Sequence, residues 1–305
     1  MEATESSRKR IEDYARLLIA VRDPFMAFAT YFGADLIQHD PDIGDGNMGD
    51  VEFLEARRAA DPTAFVSETQ YATVVHNILA DGNLVALKSH CFTSRDDRGR
   101  VFVDMWRIED GKFAEHWSAI EPIAASARNP KPIWCGQGPD YDAAAALGNS
   151  VFDPICGKSG DPSERAASLA TVRAYLDALS DPAGVRAAVD RYVADDFVEW
   201  SPRLGQGKAA LVEHLAACAA RGETFREARF LADGNLVLLH GKSTSPEHAL
   251  GYSQMHLFRV AGGKIVAHWA VRQAIPTYSV AGHTMVDGPL EEGRVKGPPP
   301  PGSSH

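Results

Sequence analysis

A seven-residue string, Leu79-Ala-Asp-Gly-Asn-Leu-Val85, recurs letter for letter as Leu231-Ala-Asp-Gly-Asn-Leu-Val237, 152 residues later. The offset holds downstream, where Arg107-Ile-Glu-Asp-Gly-Lys-Phe-Ala-Glu-His-Trp117 aligns with Arg259-Val-Ala-Gly-Gly-Lys-Ile-Val-Ala-His-Trp269. A period of that length is far beyond a solenoid unit and corresponds to two copies of a whole domain. With 305 residues in all, each copy has chain enough for its own core.

Each copy reads as helices first and strands later. Ile11, Tyr14, Ala15, Leu18 and Val21 follow helical spacing, and Pro24 opens a second helix expected to run to about Leu36. A short helix over Val51 to Ala59 follows the glycine-rich turn Asp42 to Gly49. Strands are expected over Tyr71–Ala80, Leu84–Thr93, Val101–Glu109 and Phe113–Ile120, joined by the turn signals Asp81-Gly-Asn and Asp110-Gly-Lys. Copy two repeats this plan with helices near Pro162–Leu179, Gly184–Val193 and Lys208–Arg221, and strands from Phe225. Helices followed by an antiparallel meander define an α+β fold, with helices covering one face of a curved sheet. The expected limits are 1–135 for the first domain, 136–160 for a linker, 161–290 for the second domain and 291–305 for a disordered tail. The stretch between the copies is rich in Gly, Pro, Ala and Ser, yet Ile133, Trp134, Tyr141, Val151, Phe152 and Ile155 predict that it packs against a domain.

Composition narrows the function classes. The net charge is −10 and no basic block is present, which argues against nucleic acid or an anionic membrane as partner. The longest apolar stretch, Leu17 to Val21, is far short of a bilayer span, and the N-terminus lacks the basic-then-apolar order of a secretion signal. A cytoplasmic protein is therefore expected. Cys91, Cys135, Cys156 and Cys218 lie far apart with no Cys-x-x-Cys, so neither a disulfide framework nor a zinc site is expected. Nucleotide-binding glycine loops and the Gly-x-Ser-x-Gly nucleophile motif are absent from the sequence.

Several segments together carry a family resemblance: Gln38-His-Asp-Pro-Asp-Ile-Gly-Asp-Gly46, Val74-Val-His-Asn-Ile-Leu-Ala-Asp-Gly82, Val103-Asp-Met-Trp-Arg-Ile-Glu-Asp-Gly-Lys112 and Glu115-His-Trp117. They resemble SnoaL-like proteins, the polyketide cyclase and aldol-condensation relatives within the nuclear-transport-factor-2-like (NTF2-like) superfamily. Ala281-Gly-His-Thr-Met-Val-Asp-Gly-Pro289 is similar to the C-terminal extension of that group. The resemblance implies a cone-shaped α+β barrel per copy, with its concave side under the helices, that dimerises through its sheet. It also implies an acid/base Asp on one strand working with a His on the preceding strand, here Asp104 and His90. The superfamily hosts isomerases, hydrolases, dehydratases and non-enzymes, so fold alone leaves the chemistry open.

Residues on adjoining antiparallel strands can share a hydrogen bond, which would make Asp104 and His90 a catalytic pair. Asp104 alternates with Phe102, Trp106 and Ile108 on an apolar face, where a carboxyl is either paired or poised as a proton carrier near neutral pH. Phe102 and Trp106 would offer flat surface to the substrate. His39 is a further catalytic candidate in competition with a turn role beside Asp40-Pro41, and His116 and His76 are candidates for substrate contact or core packing. At the 152-residue shift His90 becomes Lys242 and Asp104 becomes His256, while His116 becomes His268; His39 aligns with Trp200. Copy one is therefore expected to hold the acid/base site and copy two to stand in for a second subunit, so that the chain is an intramolecular pseudo-dimer or pairs further as a homodimer. The rival reading is a separate site in copy two built on His256, Lys242, His268 and Glu199. Trp117 and Trp269 read as core or interface aromatics. His39, His76, His90, Asp104 and His116 lack the local spacing of a metal-ligand pair, so no metal and no cofactor is expected. An epoxide-hydrolase-type Asp–Arg–Asp arrangement is disfavoured, because Arg107 lies three residues from Asp104 and so on the other strand face.

The expected function is cofactor-independent acid/base chemistry on a hydrophobic carbonyl compound, an aldol-type cyclisation. Isomerisation, dehydration or hydrolysis in the same pocket, and a non-catalytic binding or assembly module, are the alternatives.

Overall fold

The computed structural model describes residues 2–60, 72–92, 95–124, 128–129 and 159–298. The expectations for Ile133 to Ile155, for Cys135 and Cys156, and for the tail past 298 lie outside the described residues.

Copy one begins with α1 (Glu2–Ala15), a π-helical turn (Arg16–Ala20) and α2 (Pro24–Tyr31). Asp23 caps α2 by accepting a hydrogen bond from the Met26 amide at 2.9 Å, with Pro24 at the first helical position. The helix stops at Tyr31, and Phe32–Gln38 is a strand, β1, where the sequence predicts continued helix. Phe32 and Leu36 are buried four residues apart, a spacing that fits a helix face and one face of a strand alike, and a register shift interrupts the strand between Phe32 and Ile37. Helix and strand thus look alike in sequence here. After α3 (Gly49–Ala60) come β2 (Ala72–Asp81), β3 (Leu84–Phe92), β4 (Arg100–Glu109) and β5 (Lys112–Pro122). The sheet order is β1-β5-β4-β3-β2, antiparallel except where the edge strand β1 runs parallel to β5.

Copy two repeats the order: α4 (Arg165–Leu179), α5 (Val185–Tyr192), β6 (Val193–Glu199), α6 (Gly207–Ala220), β7 (Thr224–Asp233), β8 (Leu236–Ser245), β9 (His248–Ala261) and β10 (Lys264–Ala274). Its sheet, β6-β10-β9-β8-β7, reproduces the first. Two-residue hairpins close β4 on β5 and β9 on β10. Both loop residues adopt positive φ in each, Asp110 and Gly111 in one and Gly262 and Gly263 in the other, as the twist of a type I′ turn requires. The chain is thus an α+β protein of two tandem domains, and no described helix is long and apolar enough to cross a membrane.

Each sheet has two buried faces. One packs on its own helices: Val85, Leu87, Trp106 and Phe113 meet Ile11, Tyr14, Ala27 and Phe28 in copy one, and Val237, Leu239, Phe258 and Ile265 meet Val172, Tyr175 and Val189 in copy two. The other faces the partner sheet, where Leu79, Val103, Met105 and Trp117 form one cluster with Leu231, Leu238, Met255 and Trp269. Burying both faces removes apolar area from water twice per strand, and the shared cluster is what joins the copies.

The contacts around that cluster are reciprocal. Asp81 accepts from the Ala232 amide at 3.0 Å while Asp233 accepts from the Ala80 amide at 3.2 Å, and Arg165 and Arg8 pair with these two carboxylates respectively. Gln273 accepts from the Ile120 amide and Glu121 from the Arg272 amide. The amide–side-chain contacts map onto their counterparts by the 152-residue shift, while the two arginines stand 157 residues apart; reciprocity of this kind is the signature of a two-fold isologous interface. A segment after β10 then reaches back over copy one. Tyr278 donates to Asp42 at 2.6 Å, Trp117 donates to the Val286 carbonyl at 3.2 Å, and the Val280 amide donates to the Pro41 carbonyl at 2.9 Å.

Candidate functional site

Strand register separates the two residues expected to form a pair. Asp104 stands opposite Leu87 and Ser118, on the helix-facing side with Trp106. His90 stands opposite Val101, on the side that packs against the partner sheet. Directly opposed residues share a face, so the expected His90–Asp104 hydrogen bond is not made. His90 instead contacts the Arg98 carbonyl through Nε2 at 3.1 Å, and burial pushes its pKa down to about 4. The error lay in parity: one residue of register carries a side chain through the sheet.

The partner of Asp104 is His116, one strand further on. His116 Nε2 lies 3.3 Å from Asp104 Oδ1, and His116 Nδ1 lies 2.9 Å from Gln38 Oε1. Burial pulls His116 down, but the hydrogen bond and charge of Asp104, with Asp50 and Asp40 behind it, outweigh burial and raise its pKa. Asp50 on α3 receives a hydrogen bond from Gln38 Nε2 at 3.3 Å, and burial pushes its carboxyl up to about 7. Asp40 is buried and raised too, while accepting from Ser118 Oγ at 2.7 Å. Trp106 is a core residue, stacked on His116 at 4.9 Å and against Tyr14 and Phe113. It steadies the His116 ring and offers no open face to a substrate. Phe102 is half-buried on the helix-facing side.

His39 also departs from its expected place. Its ring stacks on Trp117 at 5.1 Å, Nδ1 lies 2.6 Å from the Thr284 carbonyl and Nε2 3.0 Å from Glu115. That places it under the C-terminal segment and on the opposite sheet face from Asp104. Its counterpart Trp200 stacks on Trp269 at 6.1 Å, and the His39 and Trp200 amides donate to the His116 and His268 carbonyls alike. A bulge between Val75 and Asn77 brings His76, fully buried, beside His90 at 6.3 Å between ring centroids, a core position away from Asp104.

In copy two the same strand positions build a longer chain of groups. Glu199, at the end of β6, corresponds to Gln38 through its pairing with His268. Glu199 Oε1 accepts from the amides of Trp200 at 3.1 Å and Ser201 at 2.8 Å, and Oε2 lies 2.8 Å from His268 Nδ1. His268 Nε2 lies 3.0 Å from His256 Nδ1, and His256 Nε2 lies 2.7 Å from Gln254 Oε1. Gln254 in turn donates to Ser243 Oγ at 2.6 Å. Burial, then the charges of His268 and Arg203, hold His256 well below the ordinary imidazole pKa. Lys242 lies opposite Ser253 on the other face and pairs with Glu291 at 3.0 Å, so it takes no part in this group.

His256 and His268 open into a cavity of about 790 Å³ inside copy two. Its walls are apolar at Tyr175, Leu239 and Phe258 and polar at Gln254, Arg203 and Arg272. That volume suits a compound of two to four fused rings. Cys218 also faces it, with burial first among the causes that push its thiol up to about 11, so it is not a nucleophile at neutral pH. Among the described residues no group of three or more His, Cys, Asp or Glu is arranged to hold a metal ion.

Gln38, Asp50 and Gln254 carry no sequence signal of their own. The Gln38–Glu199 correspondence is hidden because copy one has nine more residues than copy two between its first and second strands, which changes the offset from 152 to 161.

A SnoaL-like domain model matches residues 172–268. Among solved structures, the chain is similar to an LEH-like epoxide hydrolase of M. tuberculosis (22% identity, 36% of this chain and 85% of that chain, TM-score 0.31). It is also similar to an NTF2-like protein of Burkholderia xenovorans (17% identity, 36% and 92%, TM-score 0.31). A third is a candidate isomerase of the SnoaL-like family from Agrobacterium tumefaciens (19% identity, 35% and 98%, TM-score 0.31). No curated protein matches the chain.

Proposed function

Since residues 172–268 are a SnoaL-like domain, we propose that copy two is the working chamber of a small-molecule enzyme, in which His256 moves a proton next to a carbonyl. The observation that carries this reading is the ordered line Glu199, His268, His256 ending in a cavity of about 790 Å³. It reverses the expectation that copy one acts and copy two only supports it.

The line can accept a proton without stranding charge. When the substrate displaces the Gln254 amide from His256 Nε2, leaving that nitrogen its lone pair, Nδ1–H donates to His268 Nε2, and His268 Nδ1–H donates to Glu199. A substrate C–H proton taken by His256 Nε2 allows the Nδ1 proton to pass to His268. The positive charge then rests beside the Glu199 carboxylate, and His256 Nε2–H donates to Gln254 Oε1. Keeping the charge one residue away suits a His256 whose own pKa is depressed. The substrate is left as an enolate. Intramolecular addition of that carbon to a second carbonyl gives aldol-type ring closure, with the proton returned to the new alkoxide. Return of the proton at another carbon gives double-bond isomerisation from the same first step.

The test is deuterium uptake beside the carbonyl of 1-tetralone in D2O, followed by NMR. General base catalysis of this kind is worth roughly 10²-fold or more. The wild-type chain accelerates uptake by that order and H256Q abolishes the acceleration; uptake equal to buffer makes the protein a binding module instead.

A second reading places proton transfer in copy one, at Asp104 and His116. It is favoured by Asp50, whose carboxyl, pushed up to about 7, would buffer that site near neutrality.

A further inference from the structure

Four arginines line the copy-two cavity: Arg128, Arg203, Arg221 and Arg272. Three have a carboxylate on the guanidinium. Arg128 pairs with Glu213 at 3.2 Å, Arg221 with Glu223 at 2.7 Å, and Arg203 with Glu121. Arg272 is different. Its backbone amide donates to Glu121, but among the described residues its guanidinium has no hydrogen-bonded carboxylate; it lies over the Tyr252 ring, 4.5 Å from the centroid. The two remaining cavity carboxylates, Glu227 and Glu247, are solvent-exposed. A guanidinium lying over an aromatic ring is held in place by cation–π attraction, which leaves its N–H groups able to donate to a ligand.

Position and chemistry agree. His268, Ala270 and Arg272 alternate along β10 on the helix-facing side, and Ala270 stands opposite His256. At about 3.3 Å per residue, Arg272 lies roughly 7 Å along the strand from the level of His256. The equivalent residue in copy one is Ile120, so the cation belongs to copy two alone.

We propose that Arg272 is a carboxylate-recognition site, and that the substrate is an aromatic or fused-ring acid whose carboxylate docks on Arg272 while its reacting carbon reaches His256. This rests on the copy-two reading above and adds the substrate's charge. A bidentate guanidinium–carboxylate contact fixes both distance and orientation, which a purely apolar pocket leaves free.

Binding of 2-naphthoate and of its methyl ester to the full chain, measured by calorimetry, tests the proposal. A charge-assisted contact of this type corresponds to about tenfold in affinity. The wild-type chain binds the acid about tenfold more tightly than the ester, and R272Q binds both equally. Equal binding of acid and ester by the wild type, no binding of either at millimolar concentration, or an acid preference retained in folded R272Q overturns it. Should R272Q not fold, R272K decides: loss of the fork weakens acid binding several-fold with the ester unchanged, and unaltered acid binding overturns the proposal. Deuterium uptake into 1-tetralone, a neutral ketone, reports separately on His256. An intact acid preference without uptake sinks only the proton-transfer reading, and the converse sinks only this one.

Discussion

His268 Nε2 lies 3.0 Å from His256 Nδ1, and at the same two strand positions in copy one His116 Nε2 lies 3.3 Å from Asp104 Oδ1. The duplicated fold has kept one histidine in place and exchanged the group on either side of it. In copy one the neighbours are a neutral amide and a carboxylate; in copy two they are a carboxylate and a second imidazole. The two sites therefore surround a common ring with different groups, a carboxylate on the β4 side in copy one and on the edge-strand side in copy two.

Removing the wrong histidine should leave the chemistry intact. His90 is buried on the sheet face away from Asp104, against Phe92 and His76, so H90Q is expected to keep deuterium uptake within about twofold of wild type while lowering stability, because a buried polar group loses its fit. NMR uptake and thermal melting on one preparation read both effects.

The acid cluster of copy one sets a pH dependence with a definite sign. Asp50 is pushed up to about 7 when folded and returns to an ordinary carboxyl value near 4 when unfolded. Between those values the folded chain binds more protons than the unfolded one, so stability falls as pH rises from about 4 to about 7. His116, raised by its acidic neighbours, adds to the fall, since its contribution is present at low pH and lost as pH climbs through its folded value. The Asp50 share is of order 4 kcal/mol at most. Urea unfolding at pH 5 and pH 8 should show a smaller difference for D50N than for wild type; an equal difference removes Asp50 from the account.

The shared core predicts coupling between the copies. Met105 is fully buried in the cluster that both sheets form. M105A is expected to cost about 2–5 kcal/mol and to lower the unfolding midpoint of copy two along with copy one. Fluorescence of Trp269 and Trp200 against that of Trp106, isolated by single-tryptophan variants, separates the two transitions if they part.

Much of this arrangement is legible in the sequence, and the failures have specific causes. The repeat fixes two domains of one fold, and the Asp110-Gly111 dipeptide locates a hairpin whose two loop residues both adopt positive φ. The strand Phe32–Gln38 is not legible because apolar residues at Phe32 and Leu36 fit a helix face as well as one face of a strand. The candidate site was harder to read for a related reason. His90 and Asp104 lie on neighbouring strands, but register decides which face each meets: the unbroken β3–β4 ladder pairs Asp104 with Leu87, three residues from His90, and no local pattern announces that pairing. His116 and His268 were visible as repeated His-Trp pairs; their role was not, because Gln38 and Glu199 come from the edge strand at a different offset.

Which copy does the chemistry is decided by comparing H268Q with H116Q in the deuterium-uptake experiment on 1-tetralone. H268Q is expected to lose roughly 10²-fold of the acceleration while H116Q stays within about twofold of wild type. Loss of uptake in H116Q with full uptake in H268Q would contradict that expectation and move the chemistry to Asp104.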